Sequence, residues 1–189
     1  GVASIDDADG NLAFYTNGRT VWNKNHEVMP IYDSIPGDIG GDSTTAQGVA
    51  IIPFMDDITM FYIFTTQETY GLDQEYNFKY SIVDMKEDSA KGAVIINDLP
   101  LFDKSIEKIT QSGFTLNAWL VSHEFGNNSY RTNLIDANGI GRTTYSPIGE
   151  VLQEYREEQA DGAMKFGAGT QLFANVKHRR FVALALADH

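Results

Sequence analysis

The sequence contains no cysteine among its 189 residues, so disulfide bonds and thiolate metal sites are excluded. Basic residues are few: 14 Lys and Arg stand against 26 Asp and Glu, which gives a formal net charge of −12. Phosphate backbones are bound by clustered Lys and Arg, and no basic run occurs. No apolar run has the length of a membrane span. We therefore expect neither nucleic acid as a partner nor a membrane span.

Hydrophobic residues make up 42% of the chain, which is enough for one sizeable buried core at this length. We treat residues 1–189 as a single segment. The chain begins with Gly1 rather than with Met, so we expect a processed product or a piece of something longer.

Short runs of β-branched and aromatic residues recur between turn signals, whereas helical spacing is scarce. Turns are marked by Asp9-Gly10, Asn17-Gly18 and Asn138-Gly139, because Gly and Asn tolerate positive φ. The pattern predicts an all-β fold of antiparallel strands. The predicted strands are Val2–Ile5, Leu12–Thr16, Thr20–Asn23, Gly48–Pro53, Phe61–Thr66, Phe78–Asp84, Ala93–Asn97, Lys108–Gln111, Ala118–His123, Tyr130–Asp136, Thr143–Ser146, Ala163–Gly167 and Phe181–Ala187. Residues 149–159 fit either a short helix or a strand end followed by an acidic loop.

Two stretches of the sequence repeat the same order of strands. Residues 60–86 and 117–139 each contain an aromatic and aliphatic strand, a polar loop, and a strand that opens on an aromatic residue and closes on Asp. A truncated copy lies at 179–189, and "IDDADGNL" near the start parallels "LIDANGIG". The step of about 50–60 residues is somewhat above that of four-stranded propeller blades.

Blades of a β-propeller bury their faces only against neighbouring blades around a central axis. We therefore predict propeller-type blades of antiparallel strands, about three to four in this chain, with the first and last incomplete. Open edges of such an arc are a liability for a free protein. We expect further blades of the same protein, or neighbouring chains, to complete them.

The acidic turn near the start of the chain has two interpretations. Asp7, Asp9 and Asn11 are candidate calcium ligands, but a calcium loop of the EF-hand type also needs a later acidic ligand. The residues that follow, Leu12 to Tyr15, suit a strand instead. We interpret the segment as a hairpin turn with a two-residue loop and predict no metal and no other cofactor.

Several stretches carry a family resemblance: "GVASIDDADGNLAFYTNGRTVWNKNHEVMP", "YIFTTQ", "YSIVDM", "EKIT" and "AWLVSHE". Together they are similar to the β-propeller-like amino-terminal region of large surface proteins from gliding bacteria. Those proteins typically end in a type B sorting domain for type IX secretion, and many are associated with gliding motility. The match is strongest in residues 1–30 and 60–85 and weaker after about residue 140. The resemblance implies a secreted or cell-surface protein.

The sequence departs from that family in two respects. The loop at residues 30–48 is less regular than the Gly- and Ser-rich loop of the family, and these residues contain no sorting domain. Secretion by the type IX route is therefore implied by the resemblance alone.

The sequence contains few candidate catalytic or binding residues. His123 and Glu124 lie at a predicted strand end beside a Gly-Asn-Asn loop, where propellers often place binding residues. Adjacent strand residues face opposite ways, so we do not expect these two to converge on one substrate atom. His26 is interpreted as a loop-ordering residue. No serine elbow, cysteine nucleophile or phosphate-binding glycine loop occurs, and we predict no catalytic residues.

Aromatic residues exceed what turns require, and Tyr70 and Tyr76 are the candidates for stacking on sugar rings. Packing between blades through large aromatic side chains is the alternative. The expected function is a non-enzymatic extracellular scaffold or adhesion module that binds protein or glycan through blade loops.

Two other functions stay open. One is a carboxylate-dependent glycan hydrolase, which would place two carboxyl groups about 5–10 Å apart across a pocket. The other is a structural subunit of a large particle.

Overall fold

The computed structural model describes residues 1–32, 38–67, 78–112, 116–148, 151, 164–166 and 181–182. The regular secondary structure of these residues is almost entirely β-strand, which confirms the predicted all-β class. The elements are β1 (Ala3–Asp6), β2 (Leu12–Thr16), β3 (Val21–Asn23), β4 (Val49–Pro53), β5 (Met60–Thr66), β6 (Phe78–Asp84), α1 (Glu87–Ala90), β7 (Ala93–Phe102), β8 (Thr110–Ser112), β9 (Ala118–His123), β10 (Ser129–Asp136), β11 (Gly139–Pro147), β12 (Lys165–Phe166) and β13 (Phe181–Val182). No helix in the described part is long and apolar enough to cross a membrane.

Strands that follow one another along the chain pair antiparallel and form four separate sheets. Sheet 1 has the order β1-β2-β3, sheet 2 the order β4-β5-β6-β7, sheet 3 the order β8-β9-β10-β11, and sheet 4 contains β12 and β13. Each sheet is therefore a meander, in which every strand lies beside its neighbour in sequence.

Sheet 2 is buried on both faces because its strands are apolar at successive positions. Ile51 belongs to a core that also contains Phe14 of sheet 1. The next residue, Ile52, points the other way, into a second core that contains Leu120 of sheet 3. At the first interface the ring of Phe14 meets the ring of Phe61 edge-on, with centroids 5.2 Å apart. Sheets 1, 2 and 3 are thus stacked face to face.

The first strands of the sheets lie next to one another. β1 contacts β4, β4 contacts β8, and β8 contacts β12. Just before β4 and β8, Gln47 and Lys108 form a parallel bridge, in which Ile109 N donates to Gln47 O at 3.0 Å. The side chain of Gln47 also binds the backbone of Met164, with Nε2 donating to the carbonyl at 3.0 Å and Oε1 accepting from N–H at 2.8 Å. β4 and β8 therefore start side by side and run in the same direction.

Three strands, β2, β6 and β9, have the predicted bounds. β7 was predicted to end at Asn97 but continues to Phe102. Asp98, with a φ of 57, lies where the pairing with β6 shifts register, and beyond it Pro100 pairs with Lys79. β11 is longer at both ends than the predicted Thr143–Ser146, since the Gly-containing start of the strand still pairs with β10.

The two acidic hairpin turns are not equivalent, contrary to the sequence interpretation. Residues 7–11 form a five-residue loop rather than a two-residue loop, because β1 pairs with β2 only as far as Asp6 and Leu12. The later turn has the two-residue loop Ala137-Asn138, between the paired residues Asp136 and Gly139. The first joins strands one and two of its sheet, and the second joins strands three and four.

The element α1 was not predicted. It is a single turn in which Asp88, Ser89 and Ala90 have positive φ, so it is no regular α-helix. The segment at 149–159 lies outside the described residues except for Val151, as does the copy at 179–189 except for β13.

Candidate functional site at the ends of β9 and β10

A buried arginine is the centre of a polar site at the ends of β9 and β10. Arg131, Asn133 and Ile135 are the buried positions of β10, in the alternation that a strand imposes. Arg131 is 2% exposed. Its Nε and Nη2 donate to Oε1 of Glu124 at 2.9 and 2.7 Å. Nη2 also lies 3.6 Å from Oδ1 of Asp103.

Two sheets contribute to this site. The guanidinium carbon of Arg131 lies 4.8 Å from the ring centroid of Phe102, a cation–π arrangement. Phe102 ends β7 of sheet 2 and Asp103 follows it, whereas Arg131 belongs to β10 of sheet 3 and Glu124 follows β9 of the same sheet. The Nη1 atom is buried and has no hydrogen-bond partner in the described part. The arginine therefore joins sheet 2 to sheet 3 at the ends of their strands.

The loop after β9 holds the carboxylate of Glu124 in place. Asn127 Nδ2 donates to Glu124 Oε2, and Asn127 Oδ1 accepts from the N–H of Ser129 at 2.7 Å. Burial raises the pKa of Glu124, but the hydrogen bonds from Asn127 and Arg131 outweigh it and leave the pKa below its ordinary value. The carboxylate is therefore ionised at neutral pH.

His123 lies on the opposite face of β9 from this carboxylate. Its ring meets the ring of Tyr130 edge-on, with centroids 4.4 Å apart, and its Nδ1 donates to the carbonyl of Glu124. Burial lowers the pKa of His123, and the positive charge of Lys108 lowers it further. The imidazole is therefore neutral at neutral pH and is occupied as a structural donor. His123 and Glu124 do not converge on one point.

The candidate calcium ligands are used within their own turn. Asp7 Oδ1 accepts from the N–H groups of Asp9 and Asn11 at 3.0 and 2.9 Å. The hydrogen bond from Asn11 is the main reason why the pKa of Asp7 lies below its ordinary value. Among the described residues, no group of three or more His, Asp or Glu side chains is placed to hold a metal ion.

The aromatic candidates Tyr70 and Tyr76 lie outside the described residues. On sheet 1, the rings of Tyr15 and Trp22 are stacked across β2 and β3, with centroids 5.2 Å apart. The hydroxyl of Tyr15 lies 3.1 Å from Nδ1 of His26. His26 has a φ of 64, and its N–H donates to Asn23 O at 2.9 Å within the turn after β3.

Sequence reasoning missed Arg131 and Asp103. The signal for Arg131 was a charged residue at an inward position of an alternating strand, where an apolar residue is the rule. Asp103 has no such signal, since only the packing of sheet 2 on sheet 3 brings it to the arginine.

The chain matches no protein-family model, no curated protein and no solved structure.

Proposed function

We propose that this chain is an arc of a β-propeller that serves as a non-enzymatic scaffold or adhesion module of a bacterial surface protein. In this proposal sheets 1 to 4 are successive blades, and loops at one end of the arc contact a protein or a glycan. Each blade depends on its neighbours for burial, so the arc is completed by further blades of the same protein or by other chains.

The observation that carries the proposal is the neighbouring position of the first strands. A propeller blade is a meander whose first strand lies nearest the axis, so first strands of successive blades adjoin and run parallel. In support, β4 contacts both β1 and β8, and the parallel bridge between Gln47 and Lys108 gives β4 and β8 one direction. Burial of both faces of sheet 2 has the same explanation.

The proposal assigns binding to the end of the arc that carries the loop after β9. If the first strands of the sheets are parallel to one another, the second strands, which pair antiparallel with them, also share one direction. The turn at residues 17–20 and the loop at residues 124–128 then lie at the same end, together with Glu124 and Arg131. A backbone anchored by Arg131 presents loop residues such as Phe125 at little entropic cost.

Glu124 of this site does not have the properties of the general acid of a hydrolase. Asp103 and Glu124 both lie beside Nη2 of Arg131, so the site contains two carboxyl groups, the kind of residue that a glycosidase uses. A hydrolase also needs one of them as a general acid with a raised pKa. The pKa of Glu124 is lowered instead, and both of its oxygens accept hydrogen bonds.

Binding assays on the purified chain test the proposal. We expect saturable binding to surface polysaccharide or surface protein, without release of reducing sugar. Phe125→Ala should weaken binding by about tenfold, since a truncated aromatic contact typically has an effect of this order. Lys86→Ala, after β6 at the other end of sheet 2, is the matched control and should leave binding unchanged. Release of reducing sugar that Glu124→Gln abolishes would show a hydrolase instead. Binding that is weakened only by Lys86→Ala would place the binding surface at the opposite end of the sheets and contradict the proposal.

The proposal includes export to the cell surface by type IX secretion, which is supported only by the resemblance of residues 1–30 and 60–85 to surface proteins of gliding bacteria. In a gliding bacterium that encodes the protein, antibodies to residues 1–189 should detect it on intact cells. Detection should disappear when the type IX apparatus is deleted. Surface exposure that persists in the deletion strain would contradict this route and leave the binding proposal untouched.

A further inference from the structure

The outermost strand of sheet 3 has an unpaired edge. β11 runs over nine residues, Gly139–Pro147, and pairs with β10 on one side. Along its other side, no backbone hydrogen bond is formed with any described residue. Thr144 is exposed, and the side chain of Tyr145 is 54% exposed. Such an edge offers a row of N–H and C=O groups to any strand that approaches it.

The outer edge of sheet 2 is protected in ways that β11 is not. At Val94 the edge of β7 is covered, because Val94 N donates to Pro30 O at 2.9 Å and Tyr32 N donates to Val94 O at 3.0 Å. Further along, the positive φ of Asp98 and the missing N–H of Pro100 interrupt it.

The edge of sheet 1 is short. β3 has three residues, and Val28 forms a bridge to its central residue, Trp22. β11 is thus a long outer edge in the described part of the chain, and from Thr143 to Pro147 it pairs with β10 without a register shift.

From this contrast we propose that β11 is a self-association edge, which pairs antiparallel with β11 of a second copy about a two-fold axis. The two four-stranded sheets then form one continuous sheet. This inference needs only the geometry of sheet 3 and does not depend on the propeller proposal.

The sequence of β11 is compatible with pairing to itself. Arg142 is its one charged residue, although the whole chain carries a net charge of −12. If Thr144 pairs with Thr144 of the second copy, Arg142 pairs with Ser146 of that copy and Thr143 pairs with its Tyr145. No like charges then meet, and an aromatic residue lies opposite a β-branched one, which is a favourable cross-strand pair. Pairing also covers part of the exposed Tyr145 and of Ile148, which is 61% exposed at the end of the strand.

Cysteine cross-linking tests the two-fold register directly, because the natural chain has no cysteine. Residues that face each other in an antiparallel pair have Cα atoms about 4.5–5.5 Å apart, within the range of a disulfide. Thr144→Cys should therefore form a covalent dimer under mild oxidation. Ala137→Cys, in the exposed turn of the same hairpin, should stay monomeric.

Sedimentation equilibrium gives a second measurement that needs no cross-link. Thr144→Lys places two like charges opposite each other and should weaken dimerisation by about tenfold. Thr144→Val keeps a β-branched residue and should dimerise like the natural chain; circular dichroism verifies that both variants are folded. A chain that is monomeric at every concentration would overturn the proposal. So would dimers that Thr144→Lys leaves unchanged, or equal cross-linking by Thr144→Cys and Ala137→Cys.

Discussion

Arg131 and Glu124 form a charge pair at the junction of two sheets, with two guanidinium nitrogens bonded to one carboxylate oxygen at 2.9 and 2.7 Å. The arginine side chain is 2% exposed and the glutamate side chain 19%. A buried ion pair adds little stability relative to apolar residues of the same shape, but removal of one partner is costly. The pair therefore acts chiefly as a constraint, which fixes where the loop after β9 stands relative to sheet 2.

Arg131→Met should lower the free energy of unfolding by about 2–4 kcal/mol, because it leaves the carboxylate of Glu124 without its cation. The double variant Arg131→Met/Glu124→Gln should recover much of this loss, since no unpaired charge remains. Urea denaturation of both variants measures the difference. Equal stability of the single and double variants would show that the pair does not act as a unit.

A surface pair supplies the control for this cycle. Lys86 binds Asp57 at 2.9 Å, but the two side chains are 61% and 38% exposed. Exposed pairs contribute little because water and salt screen them. Lys86→Met should therefore have a much smaller effect on unfolding than Arg131→Met.

The contrast between Arg131 and the strands around it shows what the sequence could predict. Short apolar and aromatic runs between turn signals located β6 and β9 with correct bounds, because such runs are a local property of the sequence. Partners of Arg131 are not local: Glu124 lies across a hairpin, and Asp103 arrives on a different sheet. Contacts of this kind cannot be predicted from local patterns in one sequence.

The predicted positions of some strand ends were wrong for a related reason. Asp98 and Pro100 are residues that typically end a strand. β7 nevertheless continues through them to Phe102, because β6 supplies a partner strand. The error at residues 7–11 is similar. Asp-Gly predicts a tight loop, but Asp7 binds the N–H groups of Asp9 and Asn11 and thereby holds a wider one.

Asp57 should make a small contribution to stability in acid, because its side chain is 38% exposed and its contacts are screened by solvent. The hydroxyl and the N–H of Thr59 and the ammonium of Lys86 lower the pKa of its carboxyl from 3.8 to about 2. The folded state therefore binds this proton less readily than the unfolded state, so the carboxylate stabilises the fold above pH 3.8 and loses that contribution as the pH falls through about 2. Asp57→Asn should remove this part of the acid sensitivity.

Thermal unfolding between pH 2 and pH 6 is the appropriate measurement for Asp57→Asn. Asp56→Asn is the matched control, since Asp56 is the exposed neighbour and makes none of these hydrogen bonds. If both variants change the pH profile equally, net charge rather than the Thr59 and Lys86 contacts sets the acid limit.

Two glycines should respond differently to substitution by alanine. At Gly41 a Cβ would lie 2.2 Å from the carbonyl oxygen of Gly18 and 2.8 Å from Cβ of Thr65. Gly41→Ala should therefore destabilise the protein by about 2–3 kcal/mol through overpacking. At Gly10 a Cβ meets nothing within 4 Å, and only the φ of +82 opposes a side chain. Gly10→Ala should lose about 1–2 kcal/mol.

Asparagine separates the two causes, because it tolerates positive φ better than alanine does. Gly10→Asn should be more stable than Gly10→Ala, whereas Gly41→Asn should be no better than Gly41→Ala. Chemical denaturation of the four variants tests both statements. A rescue by asparagine at Gly41 would show that backbone conformation, not steric contact, selects glycine there.

Gln47 joins parts of the chain that are far apart in sequence, since its amide donates to Met164 O and accepts from Met164 N. Gln47→Met keeps the length of the side chain and removes both hydrogen bonds. It should lower stability by about 1–2 kcal/mol, because two backbone groups of Met164 lose their partner. Amide exchange should speed up in a peptide that contains Met164, while the strands of sheet 2 keep their protection.

Gln111 provides the matched control for this prediction. Its Oε1 is buried and accepts no hydrogen bond from the described residues. An unsatisfied buried acceptor is unfavourable, so Gln111→Met should leave stability unchanged or raise it. Opposite responses of two glutamines to the same substitution would show that the side-chain bonds of Gln47, rather than its volume, hold β12 against the first strands. Equal responses would mean that the contact between Gln47 and Met164 does not contribute to the stability of the fold.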